Sequence, residues 1–379
     1  LAARSRRGLM ASAAHLENRL AALIGRKHCI AVGRGATALW LLFRTIRDAK
    51  RNVLVLPATL CLSPAFVAQL AGFQLEFCDV ERATGNLSPE KLERLLASNS
   101  SIRAVLLAHL YGQPAKIKQI KAICSAFDVL LIEDVAQAFG ATTEGRMAGA
   151  FGDVAILSFG HTKILDAGGG GALLTDDDAL ANEIRSASRD LPGQHPESAS
   201  WSDDYRKAYY ALAPLAEQQT RLRTLIGALG AVFPQMYVYR LDDPLVERIE
   251  HQLDQMDREI DHRRAMADGY AEGLCGLPVS FLNTDREGVP WRFNIKLQRQ
   301  WRNAALTSLR NEKFDASSWY PALPPFFRFD DEWEEKYPGT ADIEAGIVNL
   351  WVDSSTTRSR VAACCQSLAR SLDRISGKA

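Results

Sequence analysis

The 379-residue chain carries 45 Lys+Arg against 45 Asp+Glu and is 47% hydrophobic and 24% charged, the balance of an ordinary soluble globular protein with room for one large domain and a smaller one. A net charge of zero gives no reason to expect nucleic acid or an anionic membrane as partner. The seven cysteines are scattered, with no Cys-x-x-Cys pair and no Cys/His cluster at zinc spacing, so neither a disulfide framework nor a metal site is expected, and a reducing cytoplasm fits best.

The first twenty residues are basic and then amphipathic. They lack the apolar run of a signal peptide, nothing elsewhere reaches membrane-spanning length, and a start without methionine suggests trimming. Leu16, Leu20, Leu23 and Ile24 recur at helical spacing with Gly25 as a stop. CIAVG (29–33) then reads as a buried strand and RGATALWLLFRTI as a helix opening on glycine. Gly33, Gly35 and Ala38 spell G-x-G-x-x-A, a dinucleotide fingerprint on paper. That reading needs an acid at the end of the next strand, and NVLVLP (52–57) ends in proline without one. A helix N-terminus holding a single phosphate is more economical, and a tight strand-to-helix turn explains the glycines equally well.

From Val53 to Ile132 apolar runs alternate with helical patterns, which predicts an α/β domain with a mainly parallel sheet and a ligand site at the strands' carboxyl ends. Candidates lie there. His109 and Tyr111 follow IRAVLLA before Gly112, where shaping a turn is the competing role. Asp134 ends the apolar run VLLIED, and an acid buried at a strand end needs a cationic partner; capping the helical VAQAF that follows is the alternative. Gly149 and Gly152 bracket a turn, DVAILSF (153–159) is a strand, Lys163 follows Ser158 by five residues, and GGGG (168–171) turns into a further strand.

Residues 190–236 read as a helical insertion with breaks at Pro214 and Pro234, able to cover a pocket or pack on a neighbouring subunit. Residues 244–274 form a long amphipathic stretch with Ile249, Leu253, Met256 and Ile260 along one face, the plain reading being a helix linking a large domain (1–243) to a small α/β domain (275–379). The latter holds VSFL, RFNIKL, the aromatic SSWYPALPPFF and a last helix.

In this order the features resemble the sugar aminotransferases of the DegT/DnrJ/EryC1/StrS family, over nearly the whole chain. AHLYGQPAKIKQIKAICSAFDVLLIEDVAQAFGA and FGDVAILSFGHTK are similar to the family's HLYGQPADM…IEDAAQAHGA and GDVAVFSFHPTK. The resemblance implies a fold-type I, pyridoxal phosphate-dependent enzyme, homodimeric with sites at the interface, that takes an amino group from an amino-acid donor and gives it to a keto group of a nucleotide-linked sugar or cyclitol. By position Lys163 would be the Schiff-base lysine and proton shuttle, and Asp134 the carboxylate keeping the pyridine nitrogen protonated. Gln137 would lie near the phenolic oxygen and Ser158 on the phosphate, with Gly35 and Ala36 at the phosphate-binding turn. His109, His161, Arg240 and Tyr320 are the substrate-side candidates.

Several positions depart from the pattern. S-G-T is here Arg34-Gly35-Ala36, a lost hydroxyl for which Arg34 or Thr37 would compensate. Cys61 stands where many members stack an aromatic on the pyridine. MYVYRL (236–241) puts Val238 in place of an asparagine that crosses the dimer, Gly169 replaces a glutamate, and NLW (349–351) stands for the C-terminal LP motif. Members that dehydrate replace the lysine, so Lys163 favours transamination. A non-sugar substrate, elimination or replacement chemistry, and a non-catalytic relative are the rival readings.

Overall fold

Residues whose neighbours on both faces are apolar read as continuous hydrophobic runs, and five such runs become the middle of one sheet. A computed structural model describes residues 12–219, 221–231, 236–282, 285–328 and 330–376. Its main sheet contains β1 (His28–Val32), β2 (Val53–Pro57), β3 (Gln74–Cys78), β4 (Ile102–Ala108), β5 (Leu130–Asp134), β8 (Val154–Ser158) and β9 (Gly171–Thr175), in the order β1-β9-β8-β5-β4-β2-β3. The strands from β8 across to β3 are parallel, and β9 runs antiparallel to both its neighbours. The glycine run permits that reversal: Gly168 and Gly170 turn the chain at φ of 78° and 89°, a region closed to most side chains. A short hairpin, β6 (Thr142–Thr143) with β7 (Arg146–Met147), fills the connection before β8.

Helices cover the sheet as their apolar stripes require. The first, Ala13–Ile24, is capped by the Ser12 hydroxyl and stopped by left-handed Gly25, and it buries Leu16, Leu20 and Ile24. In register, Ala108 pairs Asp134 and Asp134 pairs Ile156, so the carboxyl ends of β4, β5 and β8 form one edge. That edge is where a parallel sheet binds ligands.

A second, antiparallel sheet has the order β10 (Ser280–Phe281), β11 (Phe293–Lys296), β13 (Ile347–Leu350), β12 (Ala316–Ser317). Helices Met256–Gly273, Arg299–Asn311 and Arg358–Ser376 pack on it around Tyr270, Ile295, Leu309 and Leu368. The predicted link over 244–274 is two helices, Asp243–Asp254 and Met256–Gly273, parted at Gln255. The first helix, with Leu245, Ile249 and Leu253, joins the large sheet's core; the second spans both, with Ile260 in the large core and Met266 and Tyr270 in the small one. The segment around 319–327 likewise crosses the expected domain boundary. Leu323 N–H donates to Ala58 O at 2.7 Å, and Tyr320, Leu323 and Phe326 sit in the large core.

The insertion is helical, as Ser198–Gln218 and Arg221–Ala231; Gln235 and the other residues at 232–234 lie outside the described residues. It packs on its own chain. Tyr209 stacks on Trp319 with centroids 5.0 Å apart, Thr224 donates to Pro325 O at 3.2 Å, and Arg223 pairs with Glu344 at 3.0 Å. The aromatic segment 319–327 is thus held between the insertion and the carboxyl edge of the main sheet.

Candidate active site

Asp134 is the last residue of β5 and Lys163 follows β8, the neighbouring strand, so the sheet itself brings acid and amine together. Asp134 is 8% exposed, and its carboxylate accepts a hydrogen bond from Ala136 N–H at 2.9 Å. Burial raises its pKa above the ordinary aspartate value against the opposing pull of that N–H and the positive charge of Lys163. A buried carboxylate left this short of donors is suited to a cationic N–H. The bond to Ala136 uses one oxygen only and caps no helix, because VAQAF, read as helical from sequence, forms turns instead.

The lysine sits on a tight loop. Lys163 N–H donates to Gly160 O at 3.2 Å, and Thr162 before it takes a left-handed conformation, φ 68°. For a β-branched residue that is costly, on the order of 1–3 kcal/mol, and it persists only where the surroundings impose it. Asp166 does part of this, accepting from Thr162 N–H and Gly168 N–H, each at 2.9 Å.

At the same carboxyl end of β8 lies the cradle. Helix Gly35–Ile46 starts after Arg34, which supplies no side-chain cap, so the first-turn N–H groups of Gly35 and Ala36 face outward from the helix start. A Cβ on Gly35 would fall 2.9 Å from Ser158 Cβ and 3.2 Å from its Oγ. Only glycine lets this helix start approach the serine. First-turn amides, a helix dipole and a hydroxyl are the donor set for a phosphate.

The two proposed substitutes for the missing hydroxyl are otherwise engaged. Thr37 is fully buried; its hydroxyl donates to Tyr237 O at 2.6 Å and accepts from Tyr239 N–H at 3.4 Å. Arg34 donates from Nη1 to Met236 O at 2.8 Å, beside the Tyr237 ring. Both therefore anchor the 236–239 segment, and Thr37 has no hydroxyl capacity to spare for a phosphate.

Gln137 is buried and accepts from Tyr111 N–H at 2.9 Å; Tyr111 itself is left-handed at φ 60° and forms the turn Leu110–Gly112. His109 departs from the substrate-side expectation. Its Nδ1 accepts from Ala115 N–H and its Nε2 bonds Glu133, both at 2.9 Å, so neither nitrogen is left for a ligand. His161 is exposed near Asp166 (3.5 Å), and Arg240 is exposed with its N–H on Pro192 O at 2.8 Å; neither side chain is drawn toward Asp134 by a contact within the described residues.

Tyr320 is brought in. Burial holds its phenol well above the ordinary range, and the charges of Cys61, Tyr111 and Asp134 act on it in the same direction, which groups these residues around one space. Its ring stacks on Trp291 (5.7 Å) and Tyr111 (6.4 Å). Cys61 is half-buried at the start of helix Leu62–Leu70, within electrostatic reach of Tyr205, Tyr237 and Tyr320. The Tyr205 hydroxyl is buried without a hydrogen-bond partner among the described residues.

Sequence reasoning passed over Glu133, Trp291 and Tyr205. The first two act through residues 16 to 129 positions away, and no local pattern signals such pairings. Glu133 had a faint signal: it adjoins Asp134, and the glycines that receive it, Gly149 and Gly152, stood out as a turn.

A seven-stranded sheet with one reversed strand, an acid after β5, an amine after β8 and an anion cradle at the first sheet-to-helix turn defines the large domain of a fold-type I pyridoxal phosphate transferase. Residues 10–369 match the DegT/DnrJ/EryC1/StrS aminotransferase family, and the chain belongs to it. Aminotransferases of this family depend on pyridoxal phosphate. Among curated relatives, the UDP-2-acetamido-2-deoxy-3-oxo-D-glucuronate aminotransferase of Pseudomonas aeruginosa is 34% identical over 175 residues, 46% of this chain and 48% of the relative. The GDP-perosamine synthase of Caulobacter vibrioides is 31% identical over 211 residues, 56% and 54% of the two chains. The chain thus spans about half the length of the curated relatives it matches. In fold it is similar to Helicobacter pylori PseC, an aminotransferase involved in the biosynthesis of pseudoaminic acid, with TM-score 0.75, 15% identity and coverage of 96% and 91%. Among the described residues no helix is long and apolar enough to cross a membrane, and no cluster of three or more His, Cys, Asp or Glu could hold a metal ion.

Proposed function

We propose that the chain is a sugar aminotransferase that moves an amino group from an amino-acid donor to the ketone of a nucleotide-linked sugar or related cyclitol. The observation that carries it is the Asp134–Lys163 pair on adjacent strand ends, with Asp134 buried and short of donors. Pyridoxal phosphate, when bound, supplies the electron sink that such a transfer needs. Asp134 would keep a proton at the pyridine nitrogen, Gly35, Ala36 and Ser158 would hold the phosphate, and Gln137 would border the ring. Lys163 Nζ would hold the cofactor and carry the proton between donor carbon and cofactor carbon. Tyr320, with Trp291 behind it, would wall the substrate side.

Relatives named for amino-sugar synthesis support the sugar ketone. The test is the cofactor's absorbance: adding glutamate should convert the lysine-bound spectrum to that of the aminated cofactor, and a nucleotide-linked keto sugar should restore it. No conversion with any amino donor would sink the proposal. We expect a homodimer, to be measured by light scattering of the holoenzyme. A non-sugar ketone is the second reading, favoured by the phenols of Tyr205, Tyr237 and Tyr320 gathered at Cys61; restoration by aromatic keto acids but not by keto sugars would select it.

A further inference from the structure

We propose that Trp291 is a positioning residue for Lys163: its indole N–H, delivered from the bend leading into β11 of the small sheet, fixes the left-handed turn that presents the lysine. The inference rests on the reading of Lys163 given above.

The contact is short and buried. Trp291 Nε1 donates to Thr162 O at 2.6 Å, and the residue is 4% exposed. Thr162 O belongs to the peptide joining Thr162 to Lys163. Its neighbour peptide is fixed through Thr162 N–H on Asp166, and Lys163 N–H is fixed on Gly160 O. Both peptides flanking Thr162 are thus held, by Asp166 and Gly160 from within the loop and by Trp291 from outside it, and together they impose its positive φ of 68°. Without the indole, the Thr162–Lys163 peptide keeps only its bond to Gly160 O, and a β-branched residue relaxes toward the negative-φ basins.

The clamp is itself immobile. Trp291 O accepts from Arg263 Nη1 at 2.9 Å and Arg292 Nη1 at 3.0 Å, both arginines being buried. Trp291 N–H donates to Tyr111 O at 3.3 Å, and Val289 N–H to Gly112 O at 2.9 Å, which seats the segment on the Tyr111 turn. Gly112 has no room to give: a Cβ there would fall 1.8 Å from Val289 O. The indole ring packs against both Tyr320 (5.7 Å) and Tyr111 (6.3 Å), which lie 6.4 Å from each other, so the cluster of three rings holds its orientation. Because Tyr111 N–H is bonded to Gln137, the same unit ties the lysine loop to the segment that follows Asp134. A buried indole N–H needs an acceptor wherever it lies; what distinguishes positioning is that the acceptor is the carbonyl adjoining the catalytic lysine and that the loop is otherwise strained.

Two variants separate these roles. W291F keeps an aromatic ring against Tyr111 and Tyr320, and replacement of Trp291 by benzothienylalanine keeps the full bicyclic shape while removing only the N–H. In cofactor-free protein, hydrogen exchange over 159–168 should speed up about fivefold in both variants, the equivalent of one hydrogen bond, while β2 and β4 stay unchanged. In protein loaded with pyridoxal phosphate, the pH midpoint of the lysine-bound absorbance band should shift, a signature that lost packing alone does not produce. Wild-type exchange over 159–168 together with a wild-type midpoint in the benzothienylalanine variant would overturn the proposal. Failure of the wild-type protein to form a lysine-bound band would overturn the reading of Lys163 instead, and the exchange measurement would still decide whether Trp291 holds the loop.

Discussion

Glu133 and Asp134 are consecutive on β5, and successive strand residues point to opposite faces. Glu133 is fully buried and receives four donors: Gly149 N–H (2.6 Å), Phe151 N–H (3.0 Å), Gly152 N–H (2.8 Å) and His109 Nε2 (2.9 Å). Asp134 receives one among the described residues. Burial pushes both pKa values up, but at Glu133 the bonds to His109, Gly152 and Gly149 outweigh it and leave the value lowered, whereas at Asp134 burial wins. One acid has its charge satisfied by the fold and serves as a rivet for the loop leading into β8. Its neighbour holds a charge the fold leaves uncompensated, which suits a residue waiting for a cation. Identical chemistry one residue apart is thus divided between structure and ligand by donor count alone.

The sharpest way to break this comparison is to remove each acid in turn. Glu133→Ala strands three backbone N–H groups and His109 in a dry interior, and should cost about 3–5 kcal/mol of stability in chemical denaturation. A loss under 1 kcal/mol would mean that water or a rearranged loop satisfies those donors.

Asp134→Asn should do the opposite. The cofactor-free protein should be no less stable at neutral pH, while pyridoxal phosphate affinity falls by about 1.5–3 kcal/mol, roughly 10- to 150-fold. The pH dependence follows from the directions. With its folded pKa raised, Asp134 binds more protons folded than unfolded between the ordinary value, about 3.9, and the raised one, so it makes the cofactor-free protein lose stability as pH rises through that window. Glu133, lowered, contributes stability that is present above the ordinary glutamate value and lost as pH falls through its folded value. In Asp134→Asn the fall of the denaturation midpoint with rising pH should disappear. An unchanged slope would place the raised acid elsewhere.

The smallest expected effect is at the cradle. Gly35→Ala pushes a methyl against Ser158 and should weaken pyridoxal phosphate by about 1 kcal/mol but leave binding of unphosphorylated pyridoxal unchanged. Equal weakening of both would mean that the helix start does not hold the phosphate.

Much of this was legible in the chain. The apolar runs from Val53 to Val135 reported their strands because a parallel sheet buries both faces, and Asp134 and Lys163 stood out because the family likeness aligns them. Strand order, which sets β5 beside β8 and so the acid near the amine, is seen only in the fold. What stayed hidden was long-range pairing. Nothing near Thr37 announces that its hydroxyl belongs to Tyr237 and Tyr239, 200 and 202 residues on. His109 looked available because histidines at strand ends often are, yet Glu133 and Ala115 use both of its nitrogens. The break at Gln255 escaped because the apolar stripe from Ile249 to Ile260 continues along the large core on both sides of it.

The account stands on Lys163 and Asp134 forming one site, and chemical trapping addresses it most directly. The protein is loaded with pyridoxal phosphate, reduced with borohydride and digested, and the labelled peptide is identified by mass. The account predicts a single phosphopyridoxyl label on Lys163, diminished in Asp134→Asn. A label on another lysine, or none at all, would contradict it.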